Sequence, residues 1–251
     1  MRNINYLLVG LLILTSCVQK REGETQNTLA SKVVGVSDNE YNGVADAVNF
    51  YGGVCNRHKG FETKNGEKKT YFELEMKDSE LLESYSQIIE MPSSNIAYLF
   101  YKNLGKEEKE KYSFVRVTID FKNGENHQSD YYLEDLERLI NNVDKIKYTT
   151  KLMINNDYSK LFSHFDKELA PDLTIEQLST LCKQVDSQYG QIESVQFQGF
   201  SFFNVSEPTE KELLHLAGIH LRNGQNTPFS IFIDPNRGEN EEYLNTLKFK
   251  F

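Results

Sequence analysis

The chain has 251 residues, with 28 Lys and Arg against 37 Asp and Glu, a formal net charge of −9, and 12% aromatic residues without a tryptophan. An acidic surface repels polyanions, which argues against nucleic acid as a partner and against electrostatic adhesion to anionic lipid. The length suits two modest domains or one large one, and the Phe and Tyr content supplies bulk for a real core.

At the start, Arg2 precedes an apolar run from Tyr6 to Leu14, and the small residues Thr15 and Ser16 come before Cys17. Charge, short apolar core and small residues in this order form the plan of a secretory signal peptide. As a helix the apolar run reaches roughly 15 Å, about half the ~30 Å hydrocarbon core, so it is too short to span. Leu14-Thr15-Ser16-Cys17 resembles the lipobox of bacterial lipoproteins. The resemblance implies that residues 1–16 are a signal peptide cut between Ser16 and Cys17. It also implies a diacylglyceryl group on the Cys17 thiol and often a further acyl chain, such as palmitate, on the new terminus. Each buried CH₂ contributes roughly 0.8 kcal/mol, so two or three chains give durable attachment. The expected location is the cell envelope, held at a membrane on its extracytoplasmic side, periplasmic or surface-facing. Val18 is not the aspartate that favours inner-membrane retention in some bacteria.

Residues 17–39 mix Gly, Ser, Thr, Asn and charge without periodicity and read as a flexible tether with a reach of about 25 Å. With Cys17 acylated, Cys55 and Cys182 remain in a compartment where disulfides form. They are read as separate buried thiols; the alternative is a bridge, which requires Cα atoms ~4.4–6.8 Å apart.

Residues 40–142 read as a first α+β domain of unknown type. Val44, Ala47, Val48 and Tyr51 fall at helical spacing before Gly52-Gly53. A strand follows Asn65-Gly66, with Tyr71, Leu74 and Met76 as its apolar positions. Asp78 or Ser79 then caps a helix carrying Leu81, Leu82, Tyr85, Ile88 and Ile89, which Pro92 is expected to end. A further short helix closes at Gly105. Lys106 to Lys111, KEEKEK, reads as a solvated connection. Phe114 to Phe121 is the clearest strand, with Asn123-Gly124 as its turn. Leu133, Leu136, Leu139 and Ile140 mark the next helix.

Residues 143–251 read as three helices, then strands. Ile146 to Met153 form one helix, and Tyr158, Leu161, Phe162 and Phe165 mark the second. The third has a Thr174/Gln177 capping box and the face Ile175, Leu178, Cys182, Val185 and Tyr189, stopped by Gly190. Strands are expected at Ile192–Val205, Leu213–Leu221, Phe229–Ile233 and Tyr243–Phe251. This order gives an α+β class with helices on one face of an antiparallel sheet. Ile154 to Phe197 resembles a domain-of-unknown-function family of the nuclear-transport-factor-2-like, or cystatin-like, superfamily. The features carrying it are Asn156-Asp157-Tyr158, Phe162, Phe165-Asp166, Thr174 to Leu178 and Gly190. The resemblance implies that helices cradle a bent sheet around a cone-shaped pocket; it transfers architecture rather than activity.

Chemistry is sparse. His215 alternates with Leu213, Ala217, Ile219 and Leu221, while His220 shares the other strand face with Leu214 and Leu216. A histidine among apolar neighbours stays neutral and can act as a base, so His215 is the candidate pocket residue; a core or edge histidine is the plainer alternative. Cys55 and His58 have a Cys-x-x-His spacing without a second ligand pair, so no metal is expected. His164 is expected at the surface. Gly52-Gly53 lacks the Lys and Ser/Thr of a phosphate loop, and no Gly-x-Ser-x-Gly motif exists. No cofactor or catalytic residue is assigned. The chain reads as a membrane-anchored lipoprotein acting as a non-enzymatic binding or accessory module for an envelope protein or small ligand. The alternative is a hydrolase or isomerase of the cone superfamily with His215 or a carboxylate in its pocket. A filled or apolar cone is expected.

Overall fold

The computed structural model describes residues 35–64, 66–206 and 210–249. Within Val36–Phe251, which form one unit, helices pack with two four-stranded sheets, an α+β architecture.

Ser37 starts helix α1 (Asp38–Tyr51): its hydroxyl accepts from the Glu40 N–H while the Glu40 carboxylate accepts from the Ser37 N–H. At Gly53, φ is 78° and an added Cβ would lie 2.3 Å from the Lys77 carbonyl oxygen, so both the turn and the close approach require glycine. Strands β1 (Val54–Lys64) and β2 (Glu67–Lys77) then form an antiparallel hairpin. β1, an edge strand rich in polar residues, is not expected from the sequence. On β2 the expected Leu74 and Met76 lie on the core face together with Phe72, whereas Tyr71 lies on the opposite side.

The long helix expected after Ser79 is broken. Helix α2 (Glu80–Ser84) is followed by a 3-10 turn, Ser86–Ile88, and then by α3 (Glu90–Tyr101). Pro92 sits in the first turn of α3 instead of ending a helix, because an N–H missing there removes no intrahelical bond. The KEEKEK connection contains a one-turn helix, α4 (Lys106–Lys109). Its Glu108 is buried rather than solvated, accepting from the Gly105 N–H and the Asn39 amide. Strand β3 (Phe114–Asp120) runs parallel to β2, and β4 (Asn126–Tyr132), also absent from the sequence reading, returns antiparallel after Asn123-Gly124.

Helices α5 (Leu133–Ile140), α6 (Asp144–Ile154), α7 (Tyr158–Ser163) and α8 (Ile175–Tyr189) precede strands β5 (Ile192–Val205), β6 (Lys211–Arg222), β7 (Thr227–Ile233) and β8 (Leu244–Phe249). These four strands pair antiparallel in chain order. Helix α8 carries the expected capping box between Thr174 and Gln177. Thr174→Ala is expected to lower stability by about 1 kcal/mol, read as a shift in urea midpoint at unchanged slope.

The two sheets meet through α3, which is buried on nearly every side. Toward the first sheet, Phe100 stacks on Phe72 with ring centroids 4.4 Å apart. Toward the second, Tyr98 meets Phe197 edge-on at 5.2 Å, and the Phe200 N–H donates to Ser94 Oγ at 2.8 Å. That contact falls at a register shift in β5 between Phe197 and Gly199. Gly199 has φ 148°, and an added Cβ would lie 2.1 Å from the Met91 carbonyl oxygen. The helix-covered face of the second sheet is filled by Leu214, Leu216, Phe229, Ile231 and Ile233, all fully or nearly fully buried.

Candidate functional site

Alternation along β6 splits its side chains between two environments. Leu214, Leu216, His220 and Arg222 lie on the buried face; His215, Ala217 and Ile219 are half-buried on the other. His215, Ala217 and Ile219 border a cleft of about 240 Å³ together with Ser230 of β7 and Gln198 of β5. Gly218, Pro228 and Phe229 complete the sheet side, and the facing side comes from far away in the sequence: Tyr85, Ile88, Met91 and Pro92, around the start of α3. The Gly199 approach and the Ser94–Phe200 hydrogen bond place that segment beside the sheet.

The described residues lining the cleft include no Asp, Glu, Lys or Arg. The His215 ring lies flat on Phe232, with centroids 4.4 Å apart and planes 4° apart. The described lining holds no carboxylate and is mostly apolar, so the cleft suits apolar contact and neutral hydrogen bonding.

His220 is the histidine enclosed by the core. It stacks on Phe229 at 3.9 Å, and its Nε2 lies 3.2 Å from Thr150 Oγ1. Thr150 donates its own proton to the Ile146 carbonyl, so its oxygen accepts from Nε2–H and the tautomer follows. Burial, with the nearby Arg222 charge, pushes the His220 pKa down to about 3. Arg222 has a fully buried side chain bound to Asp186 at 2.6 Å, the Gly190 carbonyl at 2.5 Å and Thr227 Oγ1 at 3.0 Å. These bonds tie the end of α8 to β6 and β7. Arg222 has no role legible in the sequence, since its partners come from separate elements.

His164 is not at the surface. It follows the last residue of α7, where the entry to β8 covers it: the Leu244 N–H donates to the His164 carbonyl at 2.8 Å. Its ring sits between Tyr148 and Tyr243 at 5.6 and 5.0 Å, and Nδ1 lies 3.2 Å from the Glu241 carbonyl oxygen. Nearby, buried Lys145 donates to Asn142 Oδ1 and the Arg237 carbonyl, and burial lowers its pKa. It fastens the loop before β8.

Cys55 and His58 are three residues apart on a strand and therefore point to opposite faces. Among the described residues, no group of three or more His, Cys, Asp or Glu is placed to hold a metal ion. Cys55 and Cys182 are both free thiols, and burial pushes each pKa up to about 12. Leu14, Thr15, Ser16 and Cys17 lie outside the described residues. Among those described, no helix is long and apolar enough to cross a membrane. No family model, curated protein or solved structure matches the chain.

Proposed function

We propose that the protein is a lipoprotein, cleaved before Cys17 and held by acyl chains on the extracytoplasmic side of a membrane of the cell envelope. There it acts as a non-enzymatic binding or accessory module. The observation that carries this reading is the order Arg2, apolar run, Leu14-Thr15-Ser16-Cys17. Small side chains before a sulfur nucleophile suit a processing site that must admit the chain and alkylate the thiol. The binding part is supported by the cleft, whose lining offers apolar surface and neutral polar groups. A cystatin-like reading of 143–251 is supported by the order of helices followed by a four-stranded meander with a bulge at Gly199.

Metabolic labelling of the native host with a tagged palmitate analogue tests the anchor. The wild-type chain is expected to carry label and to migrate as the processed form. Cys17→Ala is expected to lose the label and accumulate as the longer precursor. Equal labelling of the variant, or an unlabelled wild type, contradicts the reading.

A further inference from the structure

We propose that the cleft between the start of α3 and the open face of the second sheet binds a small neutral molecule with an apolar body and one hydrogen-bonding group. The proposal rests on the reading of the protein as a binding module and supplies its ligand class.

Charge gives the first argument. A quarter of the chain is charged, 26%, yet the described residues lining the cleft include no Lys, Arg, Asp or Glu. A ligand carboxylate or ammonium entering it would lose water without gaining a permanently charged partner, which disfavours charged ligands. Size gives the second. At about 240 Å³ the cleft falls below the ~300–1,000 Å³ of pockets for drug-sized ligands. It admits one ring or a short branched chain, not a nucleotide or a polypeptide segment.

The third argument is the placement of polar atoms. Gln198 and Ser230 border the cleft, and neither side chain hydrogen-bonds to another described residue. An amide offers donors and an acceptor, and a hydroxyl offers both roles, so one neutral polar group on a ligand is matched from either side. Ile88, 57% exposed, lies at the edge, where a bound apolar group would cover it. The site is also built in advance. The Met91–Ser94 turn is seated on the Gly199 bulge and held by the Phe200 N–H, so little ordering is needed on binding.

The test uses the mature chain carrying Cys17→Ala, to keep it free of lipid and detergent, with amide NMR as the readout. Benzyl alcohol is the neutral probe and benzoate its charged counterpart with the same ring. Benzyl alcohol is expected to shift the amides of Gln198, Ala217, Ile219 and Ser230 saturably, with a Kd of about 1 mM or tighter. Benzoate is expected to bind at least about tenfold more weakly, the change that 1.4 kcal/mol of lost affinity produces. Ala217→Trp, which fills the cleft from its half-buried wall, is expected to abolish the shifts. Ile88→Ser, at an exposed position that leaves the core untouched, is expected to weaken them several-fold and guards against a misfolded tryptophan variant. Shifts absent from these four amides, equal binding of benzoate, or binding unchanged by Ile88→Ser would overturn the proposal. If benzyl alcohol fails while Cys17 is labelled, the ligand class falls and the lipoprotein reading stands; label absent with the cleft occupied gives the reverse.

Discussion

Lowering the pH from 7 to 3 is expected to cost the folded chain about 4 kcal/mol through His220 alone, with about half of that lost by pH 5. The sign follows from the direction of the shift. His220 in the fold has its pKa depressed to about 3 from 6.5, so below pH 6.5 the unfolded chain binds a proton that the native chain refuses. The unfolded state is therefore favoured progressively as pH falls toward 3, and the effect vanishes above 6.5. Carboxylates held by partners, such as Glu75 with its pKa lowered to about 2 by the Lys77 ammonium and the Asn56 amide, lose their contribution only at lower pH. The interval from pH 6.5 to 5 thus precedes the loss of such carboxylates. Urea denaturation across this interval checks it, with His220→Gln as the comparison. Glutamine retains a donor toward Thr150 and does not titrate, and Thr150 keeps its bond to Ile146 in either case. The wild type is expected to lose stability with a slope that the variant lacks; equal slopes would mean that His220 is charged or exposed in the native state.

Gly199→Ala is expected to cost about 3 kcal/mol or more, a large effect for one methyl group. Two causes combine. The residue adopts φ 148°, which side chains avoid, and the new Cβ would meet the Met91 carbonyl oxygen at 2.1 Å and Ser94 Oγ at 2.7 Å. The Met91 oxygen is backbone and cannot swing aside, so the start of α3 must lift from β5. Gly124→Ala provides the control. Its φ is 87°, but no atom lies within 4 Å of the added Cβ, so only backbone strain of about 1 kcal/mol is expected there. Urea midpoints of the two variants separate strain from the close approach. A Gly199→Ala penalty no larger than the control would mean that α3 does not seat on the second sheet. The same variant is expected to disturb the cleft, because Met91 and Pro92 form part of its border.

The elements legible in the sequence were those whose apolar period decides their burial. Helices α1, α5, α6 and α8 each present one stripe to the core, and β3 and β6 carry enough buried aliphatic residues to stand out. β1 and β4 escaped because edge strands need little apolar sequence. On the covered side of β1, Lys59 replaces a hydrocarbon residue, its ammonium 5.6 Å from the Phe72 ring centre. The turn pairs Asn65-Gly66 and Asn123-Gly124 were the available signal for both, since a hairpin turn implies a strand on each side.

The candidate site was legible only in part. Alternation along β6 separated His215 from His220, but choosing the enclosed face required knowing which side the helices cover. The wall made by Tyr85, Ile88, Met91 and Pro92 is more than a hundred residues away from the strands it meets, and nothing periodic in either segment encodes that meeting. His164 was misplaced for a related reason: it follows the end of α7, and a strand 80 residues later buries it. Arg222, Asp186 and Lys145 form their bonds between separate elements, and the local sequence around each reads as ordinary surface charge.

The proposed membrane attachment rests on one sulfur atom, and intact mass analysis of the N-terminal peptide from native material addresses that atom directly. The expected result is a chain beginning at Cys17 with a diacylglyceryl thioether, its mass increased further where the terminal amine is acylated. A chain retaining Met1, or one beginning at Cys17 with an unmodified thiol, would contradict it.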